Sequence, residues 1–204
     1  FETDGFRENN DLQHDILDAF GQVSLTPDFS VQAEVRHRET DQGDLELRFD
    51  PDSFDADDRR EENEETVRLG SHLRLSPNAD LITSVVYEDR KGEQFTTVPL
   101  FDFVNGQLVP LPGRGSVTEE LDSEGVDAET QVLLREDRVN GIVGGGVGTI
   151  DIREAVTADL GPGGIRQPPA TSSQERQQHL YGYLNANIPD PVVWTLGLGY
   201  DSYE

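Results

Sequence analysis

Residues 68–90 read RLGSHLRLSPNADLITSVVYEDR. Two stretches of alternating side chains flank a short turn, SPNA (76–79). Ahead of the turn, Val67, Leu69, Leu73 and Leu75 fall on one side, and Arg68, Gly70, His72 and Arg74 on the other. Successive side chains of a strand point to opposite faces, so such a ribbon has one apolar and one polar face. The fold turns on what the apolar face touches: the core of a soluble protein, or lipid.

The same alternation recurs. Phe29, Val31, Ala33 and Val35 oppose Ser30, Gln32, Glu34, Arg36 and Arg38. Leu180, Gly182, Leu184, Ala186 and Ile188 oppose His179, Tyr181, Tyr183, Asn185 and Asn187. Trp194, Leu196, Leu198 and Tyr200 oppose Thr195, Gly197, Gly199 and Asp201. Leu17, Ala19, Gly21, Val23 and Leu25 repeat the pattern more weakly, and residues 129–137 leave the register open. Eight strands are expected, at roughly 12–25, 29–39, 66–75, 79–90, 129–137, 140–150, 177–188 and 192–201. Most exceed the usual strand of about 5–6 residues and match the roughly 9–11 that cross a bilayer when tilted. HDILDAF (14–20) and EELDSEGVDAE (119–129) are the two stretches with some helical pattern.

Composition narrows the choice. Apolar residues make up 34% of the 204, low for a two-layer soluble core. No run of about 18 apolar residues exists, so no transmembrane helix is expected. Methionine is absent, and no signal peptide is recognisable; the chain reads as a mature form or a fragment. Cysteine is absent, which excludes disulfides, thiolate metal sites and a cysteine nucleophile. The net charge is −25, with Lys91 the one lysine; nucleic acid is excluded as a partner, because phosphate binding needs clustered cations.

Connections come in two kinds. TPD (26–28), SPNA, DRVN (137–140) and IPDP (188–191) are short and rich in turn-formers. The stretches 40–65, 91–128 and 151–176 are long and carry DPDSFDADDRREENEE, EELDSEGVDAE and GPGGIRQPPATSSQ. They read as structureless loops, uncommon at this length inside compact soluble domains. Short turns at one end and long loops at the other is the pattern of a transmembrane β-barrel.

LTPDFSVQAEVRHRE, LSPNADLITSVVYEDR and NIPDPVVWTLGLGYDSY resemble hairpins of Gram-negative outer-membrane β-barrels. They are similar to porin-like and TonB-dependent-receptor-like barrels, including barrel domains attached to tetratricopeptide-repeat outer-membrane proteins. The resemblance implies an all-β, antiparallel transmembrane barrel in the cell outer membrane, with short periplasmic turns and long extracellular loops. The whole of residues 1–204 is expected to be this one domain or a segment of it. In that orientation both ends of the chain lie on the extracellular side, whereas whole bacterial barrels of the class leave them in the periplasm. The expectation is therefore a piece of a larger barrel rather than a closed eight-stranded one.

Glu34, Arg36, Arg38, Arg68, His72 and Arg74 share the polar face and are the expected lumen-lining residues. A basic strip in a pore would favour anionic solutes; the competing reading is that these arginines pair with Glu34, Glu88 and other acids and brace the wall. FDPDSFDADD (49–58) offers Asp50, Asp52, Asp55 and Asp57 as Ca²⁺ ligands, without the glycine and distal glutamate of an EF-hand; the bland reading is a solvated acidic loop. GIVGGGVGT (141–149) lacks the ending of a phosphate loop and reads as small residues that permit close approach. His14, His37, His72 and His179 form no metal-spaced pair, and no GxSxG motif is present. No enzymatic activity and no cofactor other than that Ca²⁺ are expected. Phe20, Phe29, Tyr87, Tyr181, Tyr183, Trp194, Tyr200 and Tyr203 include candidates for the headgroup level, where an aromatic ring with a polar handle is favoured.

The leading expectation is a channel, or part of one, that passes solutes or an exported polymer through a polar lumen filtered by acidic loops. Its partners are outer-membrane lipid and further barrel strands or scaffold domains. The alternative is a secreted acidic β-sandwich that binds Ca²⁺ or a surface partner.

Overall fold

A computed structural model describes residues 1–45, 55–104, 107–161, 164–188 and 191–204. They form one antiparallel sheet of ten strands. The strands are β1 (Glu2–Thr3), β2 (Leu12–Thr26), β3 (Phe29–Gln42), β4 (Arg59–Ser76), β5 (Ala79–Val104), β6 (Gln107–Arg135), β7 (Val139–Asp159), β8 (Ile165–Arg166), β9 (Thr171–Asn187) and β10 (Val193–Tyr203). Each long strand pairs with its neighbour in sequence, in the order β2-β3-β4-β5-β6-β7-β9-β10; β1 caps one end of β2 and β8 pairs with β7. The sheet does not close: β2 and β10 are its edges. Hairpin turns fall at Pro27–Asp28 and Pro77–Asn78, where proline fixes φ and the Thr26 and Ser76 hydroxyls accept the main-chain N–H two residues on.

The described residues form no second layer. The accessible surface is 14293 Å², against about 9,500 Å² for a compact monomer of this mass. Leu100 is the one buried hydrophobic residue among those described. Leu17, Val35, Leu69, Leu180 and Leu198 are all exposed, far beyond the apolar patch of about 300–600 Å² that a soluble monomer tolerates. A β-sandwich would bury these side chains against a facing sheet, so the sandwich alternative is not the architecture.

The eight long strands fall where alternation placed them, but most run further. The segments 91–128 and 151–176 were expected to be loops. Instead β5 and β6 continue as one long hairpin, from Tyr87↔Val126 outward to Val104↔Gln107, and β7 pairs with β9 as far as Glu154↔Thr171. The polar sequence keeps alternating there, and a register set by the apolar part lets the backbone ladder extend; Glu64 faces Arg38 and Arg90, and Asp122 faces Lys91 and Arg153, although Glu61 faces Asp41 and Glu93. Arg60 to Glu65 likewise belong to β4. The two helix-like stretches are strand: HDILDAF lies in β2 and EELDSEGVDAE in β6, their hydrogen bonds taken by the flanking strands. The open register of residues 129–137 is fixed by Leu81↔Val132 and Val132↔Val143, which put Val126, Ala128, Thr130 and Val132 on the apolar face.

Candidate functional site

The register decides which side chains meet on the polar face. Glu34 pairs with Arg68, Arg36 with both Asp18 and Thr66, and Arg38 with Glu64. The charges interlock accordingly. Arg36 donates to Asp18 Oδ2 at 2.8 Å and lies 3.2 Å from Glu34 Oε1; Arg68 reaches the other oxygen of Glu34 at 3.6 Å. Arg38 binds Glu64 and sits 3.4 Å from Glu62. Glu62 also receives Arg90 at 2.8 Å and Arg60 at 3.3 Å. Burial alone would raise the Glu62 carboxyl, but Arg90, helped by Arg60 and Arg38, holds it below the ordinary value. Arg90 is pushed up in return.

Near the short turns, Asp80 is almost wholly buried and takes His72 Nε2 at 2.8 Å and the guanidinium of Arg135. Arg74 lies 3.4 Å from Asp28. The six residues singled out from the sequence thus share one face, and each is tied to a carboxylate or, in the case of Glu34, to two arginines. Glu88 does not supply the expected partner. Asp18, Asp28, Glu62, Glu64 and Asp80, with Arg60, Arg90 and Arg135, complete the set and escaped notice, because only strand register reveals them.

Beyond β5 the same face changes character. Gly144, Gly146 and Gly148 of β7 pair with Tyr181, His179 and Gln177 of β9. A Cβ on Gly144 would lie 2.6 Å from the Tyr181 ring, and one on Gly146 2.6 Å from His179 Cε1. The glycines are the space in which these rings lie flat. Tyr181 reaches across them to donate to Glu129 and stands 3.2 Å from Gln131 Oε1. His179 stacks on Tyr181 at 6.0 Å, and Tyr183 follows at 5.9 Å, itself laid over Gly197 of β10. The reading of GIVGGGVGT as a close-approach strand holds.

The apolar face carries a band of about seven to nine residues per strand, from Leu17 to Leu25, Val67 to Leu75 and Gly141 to Thr149. Phe29 and Trp194 stand at its short-turn border and Tyr87 and Tyr200 at the other; Trp194 donates to the Ile188 carbonyl and Tyr87 to Glu124. Phe20, Tyr181, Tyr183 and Tyr203 lie on the polar face instead. Past Tyr87 the apolar face turns acidic within one step of alternation, to Asp15, Glu39, Asp41, Glu61, Glu65, Asp89, Glu93, Glu120 and Asp122.

Of the Ca²⁺ candidates, Asp50 and Asp52 lie outside the described residues. Asp55 accepts from Arg114 at 2.9 Å and from Thr97 at 3.1 Å, and the Asp57 N–H donates to it. Among the described residues no group of three or more metal-ligating side chains comes together. His14, His37, His72 and His179 stay apart, on Thr40, Glu65, Asp80 and Tyr181 respectively.

No protein-family model matches the sequence, and no curated protein does. Solved structures do. The ferric-catecholate import receptor Fiu from E. coli K12, in its open form, superposes with a TM-score of 0.73 at 11% identity over 99% of this chain. The RagAB peptide importer in the "open-open" state follows with a TM-score of 0.64 at 7% identity, again over 99%. The chain spans 39% of the first and 29% of the second. At such identities the likeness shows the fold: an antiparallel sheet of the outer-membrane β-barrel kind, unclosed over these residues.

Proposed function

We propose that the chain is a sector of an outer-membrane β-barrel that carries solutes across the membrane through a polar lumen, and that it is not an enzyme. The observation that supports this best is the two-faced single layer. One face is an exposed apolar band of membrane-crossing length, bordered by Trp and Tyr; the other is a lattice of paired charges. Apolar side chains stand out freely while polar ones crowd together, as the outer and inner sides of a curled sheet require. Lipid of the outer membrane covers the band, and further strands pair with the edges at β2 and β10, since an open edge in hydrocarbon leaves backbone groups unsatisfied.

On this reading Glu34, Arg36, Arg38, Arg68, His72 and Arg74 line the lumen. Their mutual pairing makes them a brace rather than a basic filter, so the β2–β5 wall is close to neutral toward a passing solute. The short turns face the periplasm, and the long β-extensions stand above the outer leaflet, their acidic flanks in water. The import functions named for the two similar structures favour a transporter.

Expression of the full-length protein carrying this sequence, followed by fractionation and cold and heated electrophoresis, tests the proposal. The expected protein sediments with outer membranes, needs detergent, and migrates faster unheated than heated. A protein recovered from the aqueous fraction with no heat-dependent shift would refute it.

A further inference from the structure

The charge lattice is one-sided. In β2–β5 the polar-face carboxylates meet arginines. The exception in β5 is Glu88, and beyond β5 the pairing stops: Glu88, Asp127, Glu175 and Asp201 make no ion pair among the described residues. Arg90, two residues along β5 from Glu88 on this face, is held by Glu62. Glu88, Asp127 and Glu175 surround a recess of about 240 Å³, with Gly125 and Gly148 among its lining residues and Tyr203 beside it. Arg176 also borders the recess, but it alternates to the other face, its guanidinium 3.5 Å from Gln174. From the recess the row His179, Tyr181, Tyr183 runs along β9 toward the short turns, with the rings against glycine, His179 and Tyr181 half-buried and Tyr183 exposed.

We propose that this recess and ring row form a binding track for an organic polycation, a chain of ammonium or guanidinium groups as in a polyamine or an arginine-rich peptide. The inference rests on the transport reading above and names its solute class. A cation gains from both parts: carboxylates at the head and aromatic faces along the track, which attract ammonium and guanidinium groups through the ring quadrupole. A neutral sugar would stack on the rings but would leave the carboxylates without counter-charge. An anion would be repelled. The short-turn end of the row, at Tyr183, lies nearer the periplasm, so the head of the track is where a solute entering from outside first meets the wall.

Calorimetric titration of the full-length protein in detergent tests the track, with spermine, triarginine, maltotetraose and citrate as probes. Spermine, triarginine or both bind, and which one does identifies the source of the cation; maltotetraose and citrate do not. The triple variant E88Q/D127N/E175Q weakens binding by about tenfold or more, and Tyr183→Leu by about twofold to fivefold. A triple variant on the opposite face, E39Q/E61Q/D89N, removes the same charge and leaves binding unchanged. Equal loss in both triples would mean diffuse electrostatics and would overturn the proposal, as would failure of both cations to bind or equal binding of maltotetraose. A protein that remains heat-modifiable in membranes yet binds neither cation defeats the track and leaves the barrel standing.

Discussion

Leu69 and Ser84 lie on adjacent strands and point to opposite faces, Leu69 across from Val85 and Ser84 across from Gly70. They should respond oppositely to the same charge. On the proposed function Leu69→Arg places a guanidinium in hydrocarbon and should cost about 2–4 kcal/mol; Ser84→Arg, on the face proposed to be wet, should cost about 0.5 kcal/mol or less. Reversible unfolding by urea from lipid vesicles measures both. Equal costs would mean that the two faces see one environment. The glycines differ in the same local way. Gly144→Val drives a side chain into the Tyr181 ring and should destabilise by about 1–3 kcal/mol. At Gly21 nothing lies within 4 Å of the added Cβ, so Gly21→Val should be neutral or stabilising in the same assay. At this scale the sequence told which residues share a face, because alternation is local. It did not tell which residues touch: Glu62 and Asp80 became hubs only once the strand register brought three arginines to one, and His72 with Arg135 to the other.

At the scale of the element, alternation located the strands and failed on their ends. The acidic stretches 91–128 and 151–176 looked like loops because charge runs usually stay solvated. They are strands because pairing begun at Leu81↔Val132 propagates outward at little cost once register is set. Glu62, in the extended part of β4, makes this testable. Its folded carboxyl is held below the ordinary 4.5 by Arg90, Arg60 and Arg38, so its contribution is present above that value and lost as pH falls through the depressed one. Limited proteolysis of the β4–β5 extension should therefore accelerate as the pH falls through that depressed value, and Glu62→Gln should already be more susceptible at neutral pH while showing a smaller acid step. An acid step of the same size in wild type and variant would show that Glu62 is not the group responsible.

At the scale of the whole molecule, the account stands on the orientation of one sheet. On the proposed function the apolar band reaches lipid and the charge lattice faces a lumen; the acidic outer flank and the proposed cation track follow from that. The class of fold was legible in the sequence because a barrel wall is a local pattern repeated. That the sheet stays open over these residues was legible too; which carboxylates arginine reaches was not, since that depends on strand register. The most direct test uses the absence of cysteine from residues 1–204. Spin labels are placed singly at cysteines substituted for residues 67 to 73 of β4 in the full-length protein in lipid, and their collision rates with oxygen and with a water-soluble nickel chelate are measured. The account predicts strict alternation, with oxygen favoured at Val67, Leu69, Ser71 and Leu73 and the chelate at Arg68, Gly70 and His72. Labels at the odd positions shielded from both reagents, as in a packed protein core, would contradict it.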